Sequence, residues 1–381
     1  MLPCQRHLFD IPEDVAYLNC AYMSPLMNDC AEAGATGVAR KSHPWEISPD
    51  KFFSGAEEFR TTAAPIFGCS AEDIAIVPSA SYGIATAAKN LPLKKGQSIV
   101  LLAEQFPSNY YSWQTRAEES GASLKIVPWP GDHDWTAAVM NSLTADVAIA
   151  ALPHVQWTSG GRLDLVRIGE ACRRLGTALV LDLTQSLGAL PFKVGDVQPD
   201  FAVAASYKWL FGPYSVGILY VAPKWQQGLP LEENWIQRAN ARDFSSLILY
   251  TDEYDAGARR FDMGERSNFA LLPAAVRAMQ QIQEWDVTRI SETLGAYARE
   301  LAAAAADLGF TSSPEHLRAP HYLCLRKQEG FSRELPEVLA REKVYVSVRG
   351  TAIRVAPHVY NSAADAGRLI SCLKQTIGVA R

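Results

Sequence analysis

Between residues 98 and 222, six short β-rich runs, SIVLLA, SLKIVP, DVAIAAL, ALVLDL, FAVAAS and VGILYV, alternate with stretches of helical character that include 108–120 and 164–175. Apolar runs bounded by polar turns and separated by helices specify a mainly parallel sheet, because parallel strands need crossovers and the crossover helices cover both faces. The expected class is α/β. Such sheets bind their ligands at the carboxyl ends of the strands, so the residues just after each run carry the information about chemistry.

At 381 residues the chain is longer than a single core usually supports, and two domains are expected. From about residue 223 the pattern gives way to a long polar connection through residue 262, which contains Trp235 and the charged stretch TDEYDAGARRFD. Connections of this length without periodicity are often functional. Helical sequence resumes from Pro273, with an Ala-rich stretch at 296–307, and three β-rich runs, HYLCLR, VYVSV and AIRVA, precede a last helix from about Ser362. This reads as a smaller α+β domain. The expected division is a segment 1–20 packing on the small domain, a large domain 21–262 and a small domain 263–381.

Composition narrows the function classes. With 48% hydrophobic and 20% charged residues the chain is an ordinary globular protein, and its net charge of -5 offers no basic field for nucleic acid. No run approaches the ~20 apolar residues of a membrane span. The N-terminal stretch is interrupted by Arg6, Asp10, Glu13 and Asp14, unlike a signal peptide. Seven scattered cysteines without a CxxC pair suit reduced thiols, which gives a cytoplasmic reading. The seven histidines show no metal-ligand spacing, and no metal is expected.

The strand ALVLDL delivers Asp182 at its carboxyl end, and 26 residues later FAVAAS delivers Lys208, which sits between Tyr207 and Trp209 just ahead of Gly212 and Pro213. A lysine in a half-apolar run can simply pack its stem and send its ammonium to water, and the two residues can be no more than an ion pair. A sharper reading uses both. A desolvated lysine supplies the free amine for a Schiff base, and a carboxylate keeps a pyridine nitrogen protonated, as pyridoxal phosphate requires. Gln185 is then placed for the ring's phenolic oxygen. Upstream, PSASYGIAT is a small-residue turn opening into a helix, where the N–H groups of Ala80 and Ser81, the Ser81 hydroxyl and the helix dipole form an anion site. A serine there can equally be a plain cap. Tyr207 can add a hydroxyl to the phosphate, and Phe106 offers a face for the ring, although burial in a core is the commoner fate of a Phe.

PSASYGIAT, AEQFPSNYY, PHVQWTSGGRLDL, LDLTQSLGALPF, SYKWLFGPYSVGILYV and RVAPHVYNS, in this order across residues 75–360, resemble fold-type I pyridoxal-phosphate enzymes of the class V aminotransferase group. That group includes cysteine desulfurases, kynureninase and isopenicillin N epimerase-like proteins. The resemblance implies pyridoxal 5'-phosphate as cofactor, a Schiff base on Lys208, a small α-amino acid as substrate and a homodimer with its sites at the subunit interface.

Within the group, Tyr207 and Phe106 stand where desulfurases usually have histidines and look like kynureninase, as do FPSNYY, VQWTSG, RSN at 266–268 and IRVAPHVYNS. By the same resemblance Trp235 reaches the phosphate of a neighbouring subunit, Asn268 lines the substrate pocket and Arg354 grips the substrate carboxylate, with Arg349 a weaker candidate for a second anion. The stretch REKVYVSVRGTAIR lacks the mobile cysteine of desulfurases, and Cys324 reads as core. The resulting order of activities is amino-group transfer, then a kynureninase-like or carbon–sulfur β-lyase reaction, then epimerisation, with a persulfide-forming desulfurase disfavoured. A non-catalytic cofactor-binding protein and a sugar-modifying relative are the competing classes. Arg354 speaks against the sugar reading, since a sugar offers no α-carboxylate.

Overall fold

A computed structural model describes residues 1–349 and 351–377 of the chain. In chain order the elements are β1 (Ala16–Tyr17), α1 (Asn28–Ala39), α2 (Lys51–Phe67), β2 (Ile74–Val77), α3 (Ala80–Asn90), β3 (Ser98–Leu102), α4 (Tyr111–Ser120) and β4 (Ser123–Val127). There follow α5 (Trp135–Ser142), β5 (Val147–Pro153), α6 (Leu165–Leu175), β6 (Ala178–Asp182), α7 (Val194–Val197), β7 (Phe201–Ala205) and β8 (Gly217–Val221). The last third holds α8 (Leu271–Trp285), α9 (Val287–Ala306), β9 (Leu323–Arg326), α10 (Leu335–Arg341), β10 (Val344–Tyr345), β11 (Ser347–Arg349), β12 (Ala352–Val355) and α11 (Ala363–Ile377).

Seven strands form one sheet in the order β2-β8-β7-β6-β5-β3-β4. The pairs β3–β4, β3–β5, β5–β6 and β6–β7 are parallel, as expected of runs separated by helices. β8 runs against both of its neighbours, β2 and β7. Its direction follows from the chain, since a tight turn without a crossover helix can only return antiparallel. The strand β2 was not among the six runs. Its four residues, IAIV, adjoin the small-residue turn and are too short to show a period.

Both faces of the sheet are buried, so the strands read as continuous apolar runs. Ile76, Leu181, Ala204 and Ile218 point into one core with Phe59 of α2, Ile168 of α6 and Ala275 of α8. Val77, Val180, Val203 and Leu219 point into the other with Ile84 of α3 and Trp113 of α4. The C-terminal strands form an antiparallel sheet β11-β12-β9 over a third core that includes Leu301, Leu339 and Leu373. VYVSV divides between two partners: β10 pairs in parallel with β1, Ala16 opposite Val344, while β11 pairs with β12. α8 packs on α1 and α2, beside the large sheet. No described helix is long and apolar enough to cross a membrane.

Candidate active site

The turn after β7 is built around Lys208. The Ser206 hydroxyl donates to the carbonyls of Pro213 (3.0 Å) and Val216 (2.8 Å), and Gly212 N–H donates to Ser206 O at 2.9 Å. A Cβ on Gly212 would lie 2.4 Å from Ser206 Oγ, so the closure requires glycine. The flanking aromatics are anchors. Trp209 and Phe211 are fully buried, Trp209 against His321 at a centroid distance of 4.3 Å and Phe211 against His358 at 4.2 Å. Burial pushes the His321 imidazole down to about 4, so this floor carries no charge at neutral pH.

Lys208 is 5% exposed, with its Nζ 5.5 Å from the ring centres of both Phe106 and Tyr207. Burial lowers its pKa to about 8 against the pull of Asp182, and Arg354 and Arg349 push the same way as burial. It makes no salt bridge among the described residues. Asp182, at the end of β6, is also buried, and burial raises its pKa although Thr184 and Lys208 oppose the shift. Its Oδ1 accepts from Thr184 N at 3.0 Å, while Oδ2 has no hydrogen-bond partner among the described residues. Thr184 Oγ1 accepts from Ala205 N at 3.2 Å and ties the ends of β6 and β7 together. Gln185 uses both ends of its amide, donating to Ala21 O at 3.1 Å and accepting from Trp209 Nε1 at 3.0 Å.

Opposite lies the start of α3. The N-cap is Ser79, whose Oγ accepts from Tyr82 N at 3.2 Å and lies 2.8 Å from Ser81 Oγ, leaving the N–H groups of Ala80 and Ser81 without an acceptor among the described residues. Gly83 lets this helix lie against β7, since a Cβ there would come within 2.6 Å of Val203 Cγ2. A cavity of about 410 Å³ is lined by Ser79, Ala80, Ser81, Phe106, Asp182, Gln185, Tyr207 and Lys208, so six of the expected residues share one space with the lysine, and Ser79 joins them. Trp157, Thr184, Tyr214 and Ser215 also line it and carried no role in the sequence reading. Trp157 lay in a quoted motif, VQWTSG, and only the fold shows its ring standing edge-on to Phe106 at 5.4 Å. Burial lifts the Tyr207 phenol to about 12, so it stays a proton donor.

Arg354 projects from β12 next to Trp157. It is 3% exposed, donates to Ser347 Oγ at 3.1 Å, and approaches Trp157 O and Asn19 Oδ1 at 3.4 Å each. No carboxylate pairs with it among the described residues, and its Nε lacks an acceptor. Arg349 is exposed and lies over the Trp157 ring at 4.5 Å. Arg354 stands behind Trp157 and is not itself part of the cavity lining, and within one chain two further expected residues stand away from the cavity. Trp235 sits among Phe52, Phe53 and Phe244, and Asn268 Oδ1 caps α8 by accepting from Ala270 and Leu271 N–H groups. Cys324 lies buried on β9 directly opposite Arg354, and Cys20 is buried with its thiol 3.6 Å from Lys208 O. No group of three or more potential metal ligands occurs among the described residues.

With a desolvated lysine and a buried carboxylate on adjacent strand ends, faced by a helix N-terminus, the chain matches the family model Aminotransferase class-V over residues 38–368. The chain belongs to the class-V aminotransferase family. It is accordingly a pyridoxal-phosphate-dependent enzyme. The donor set fits that cofactor: an anion cradle at α3, an amine at Lys208 and a free carboxylate oxygen on Asp182. An uncharacterized aminotransferase, YcbU of Bacillus subtilis (strain 168), is 25% identical over 84% of this chain and 83% of its own. Kynureninase of Bacillus cereus (strain ATCC 14579) is 27% identical over 61% of this chain, which spans 55% of that relative's length. Among solved structures, the cystine C-S lyase C-DES in complex with its product cysteine persulfide superposes with a TM-score of 0.84 at 18% identity, covering 96% of this chain and 98% of that one. The cysteine desulfurase CsdA of Escherichia coli does so with a TM-score of 0.82 at 17% identity, covering 97% and 96%. These structures share the fold, a mostly parallel sheet flanked by helices.

Proposed function

We propose that this class-V enzyme is an aminotransferase acting on a small α-amino acid. The observation that carries the reading is Arg354, a buried guanidinium without a carboxylate partner among the described residues, beside a cavity that holds Lys208. A buried cation is stable only when paired, and the planar fork matches an amino acid's carboxylate. When bound, pyridoxal phosphate supplies the electron sink that allows the Cα proton to leave. The chain supplies the rest. The first turn of α3, with Ser79 and Ser81, would hold the phosphate, with Tyr207 as a further donor. Asp182 would keep the pyridine nitrogen protonated, and Phe106 would cover the ring. Lys208, neutral at a lower pH than an exposed lysine, would hold the cofactor and, as the free amine, would serve as the base that accepts the Cα proton.

Amino-group transfer ranks first because the relative that covers 84% of the chain carries an aminotransferase name. A β-lyase is the second reading, favoured by Phe106 and Tyr207 on the cavity wall and by the kynureninase likeness. The desulfurase folds among the structural neighbours keep carbon–sulfur chemistry within reach of this scaffold. A persulfide carried on the chain itself finds no support in the cysteines: Cys20 and Cys324 near the site are buried, and burial raises both thiols. We include in the proposal a cytoplasmic homodimer, in which Trp235 reaches the phosphate of the neighbouring subunit, and a role for Asn268 in lining the substrate pocket. The seven free cysteines support a reducing compartment.

The test is incubation of the holoenzyme with a panel of L-amino acids and no keto-acid acceptor. A transaminase stops after one turnover with the cofactor converted to its amine form. Continued release of alanine or pyruvate would establish the lyase instead, and formation of the D-amino acid with solvent deuterium at Cα, the cofactor remaining in its aldehyde form, would establish an epimerase.

A further inference from the structure

A second cationic cavity lies outside the cofactor site, where the segment 315–320 crosses the loop after β5. Arg162 N–H donates to Leu317 O at 2.9 Å and Ala319 N–H to Gly160 O at 2.8 Å, so the two segments pair like short strands and bring Arg162 and Arg318 to one place. The cavity, about 430 Å³, is lined by Arg162, Gly295, Glu315, His316, Arg318 and Pro320. Arg318 is 6% exposed, and its Nε and Nη1 are buried without an acceptor. The one carboxylate in the lining, Glu315, is engaged by Arg299 at 3.0 Å. Arg162 has only the His316 carbonyl, 3.4 Å from its Nη2. Neither Arg162 nor Arg318 forms a salt bridge among the described residues.

Leaving a buried guanidinium without hydrogen bonds is expensive, and natural cores rarely do it. Burial also lowers the Arg318 pKa, with Glu315 opposing the shift and Arg299 adding to it. Two guanidinium groups facing one cavity, with the nearby acid already neutralised, leave a net positive site of a size suited to a small molecule. We propose that this cavity binds a small doubly charged oxyanion, of the phosphate or dicarboxylate type, held by Arg318 from the buried side and Arg162 from the rim. The site is independent of the reading of the catalytic reaction.

The test uses holoenzyme, whose own phosphate cradle is already filled by cofactor, and inorganic phosphate as the probe. Calorimetric titration at ionic strength matched with sodium chloride should show saturable phosphate binding without release of cofactor. Arg318→Gln should weaken it by roughly ten- to a hundredfold, the loss expected for charge-assisted hydrogen bonds. Arg162→Gln, at an exposed rim position, provides the second arm if the buried variant does not fold, and should weaken binding by roughly tenfold. No saturable binding, unchanged affinity in Arg162→Gln, or displacement of cofactor as the sole effect of phosphate would overturn the proposal.

Discussion

The indole N–H of Trp209 donates to Oε1 of Gln185 at 3.0 Å, joining the turn that carries Lys208 to the turn that follows Asp182. Both residues are buried, and the same glutamine amide donates to Ala21 O. Lysine and carboxylate are thus positioned by one shared bond as well as by neighbouring strands. Trp209→Phe should preserve most of the packing but leave Gln185 Oε1 without its donor, at a cost of about 1–3 kcal/mol in urea denaturation. It should lower kcat more than it raises KM. Unchanged stability and kcat would show that the strands alone position the pair.

Gly83 sets how closely α3 approaches β7. Alanine is the better helix former by about 1 kcal/mol, yet its Cβ would meet Val203 Cγ2 at 2.6 Å. The helix N-terminus must then shift away from the cavity, and overpacking of this kind costs about 1–3 kcal/mol. Gly83→Ala should therefore weaken cofactor retention, measured by dialysis and absorbance, and Val203→Ala added to it should restore retention. Failure of the second change to rescue the first would place the effect elsewhere.

The lowered pKa of Lys208 has a consequence for the cofactor-stripped protein. Below about pH 8 the lysine is protonated whether the chain is folded or not, so its contribution does not vary. Between about 8 and 10.5 the unfolded chain holds a proton that the folded chain has released, so stability should rise with pH by up to about 3 kcal/mol. Above that range the contribution is constant again. The difference in unfolding free energy between this protein and Lys208→Met, followed from pH 7.5 to 10, should show that slope. A flat difference would mean that the ammonium is not desolvated.

Arg354→Lys retains the charge and loses the fork, and should weaken amino-acid binding by about 1–3 kcal/mol while leaving the cofactor band in place. A natural preference for the amino acid over its decarboxylated amine should shrink in parallel. Equal binding of acid and amine by the unmodified enzyme would remove the carboxylate clamp from the mechanism.

Much of the site was legible because strand ends are legible. Asp182 and Lys208 terminate apolar runs, Phe106 follows another, and the helix start at Ala80 is marked by serines. Of the serines there, Ser79 holds the capping bond and Ser81 bonds to it, a division that the sequence leaves open. Trp157 and Tyr214 lie in the motifs VQWTSG and SYKWLFGPYSVGILYV, but nothing local assigns them to the cavity, as each reaches it through a loop whose path depends on residues far away in sequence. Tyr322 illustrates why: its hydroxyl holds Trp157 O, and a Cβ on Gly160, which has φ +76, would come within 2.6 Å of its ring. No local pattern encodes that meeting. The reversed direction of β8 could have been inferred from the short connection, whereas β2 at four residues lacked the length to announce itself.

The stretch from Ala16 to Ser24 touches both halves of the site. It begins as β1 on Val344, places Asn19 beside Arg354 and Ser347, bonds Cys20 N–H to Ala356 O, and ends with Ser24 N–H on the carbonyl of Tyr207 at 3.0 Å. Nine residues therefore act as a tie rod between the arginine's sheet and the lysine's turn. A chimera that exchanged the C-terminal strands for those of a relative, leaving this ribbon unchanged, would inherit an arginine aimed by one parent and a lysine held by the other.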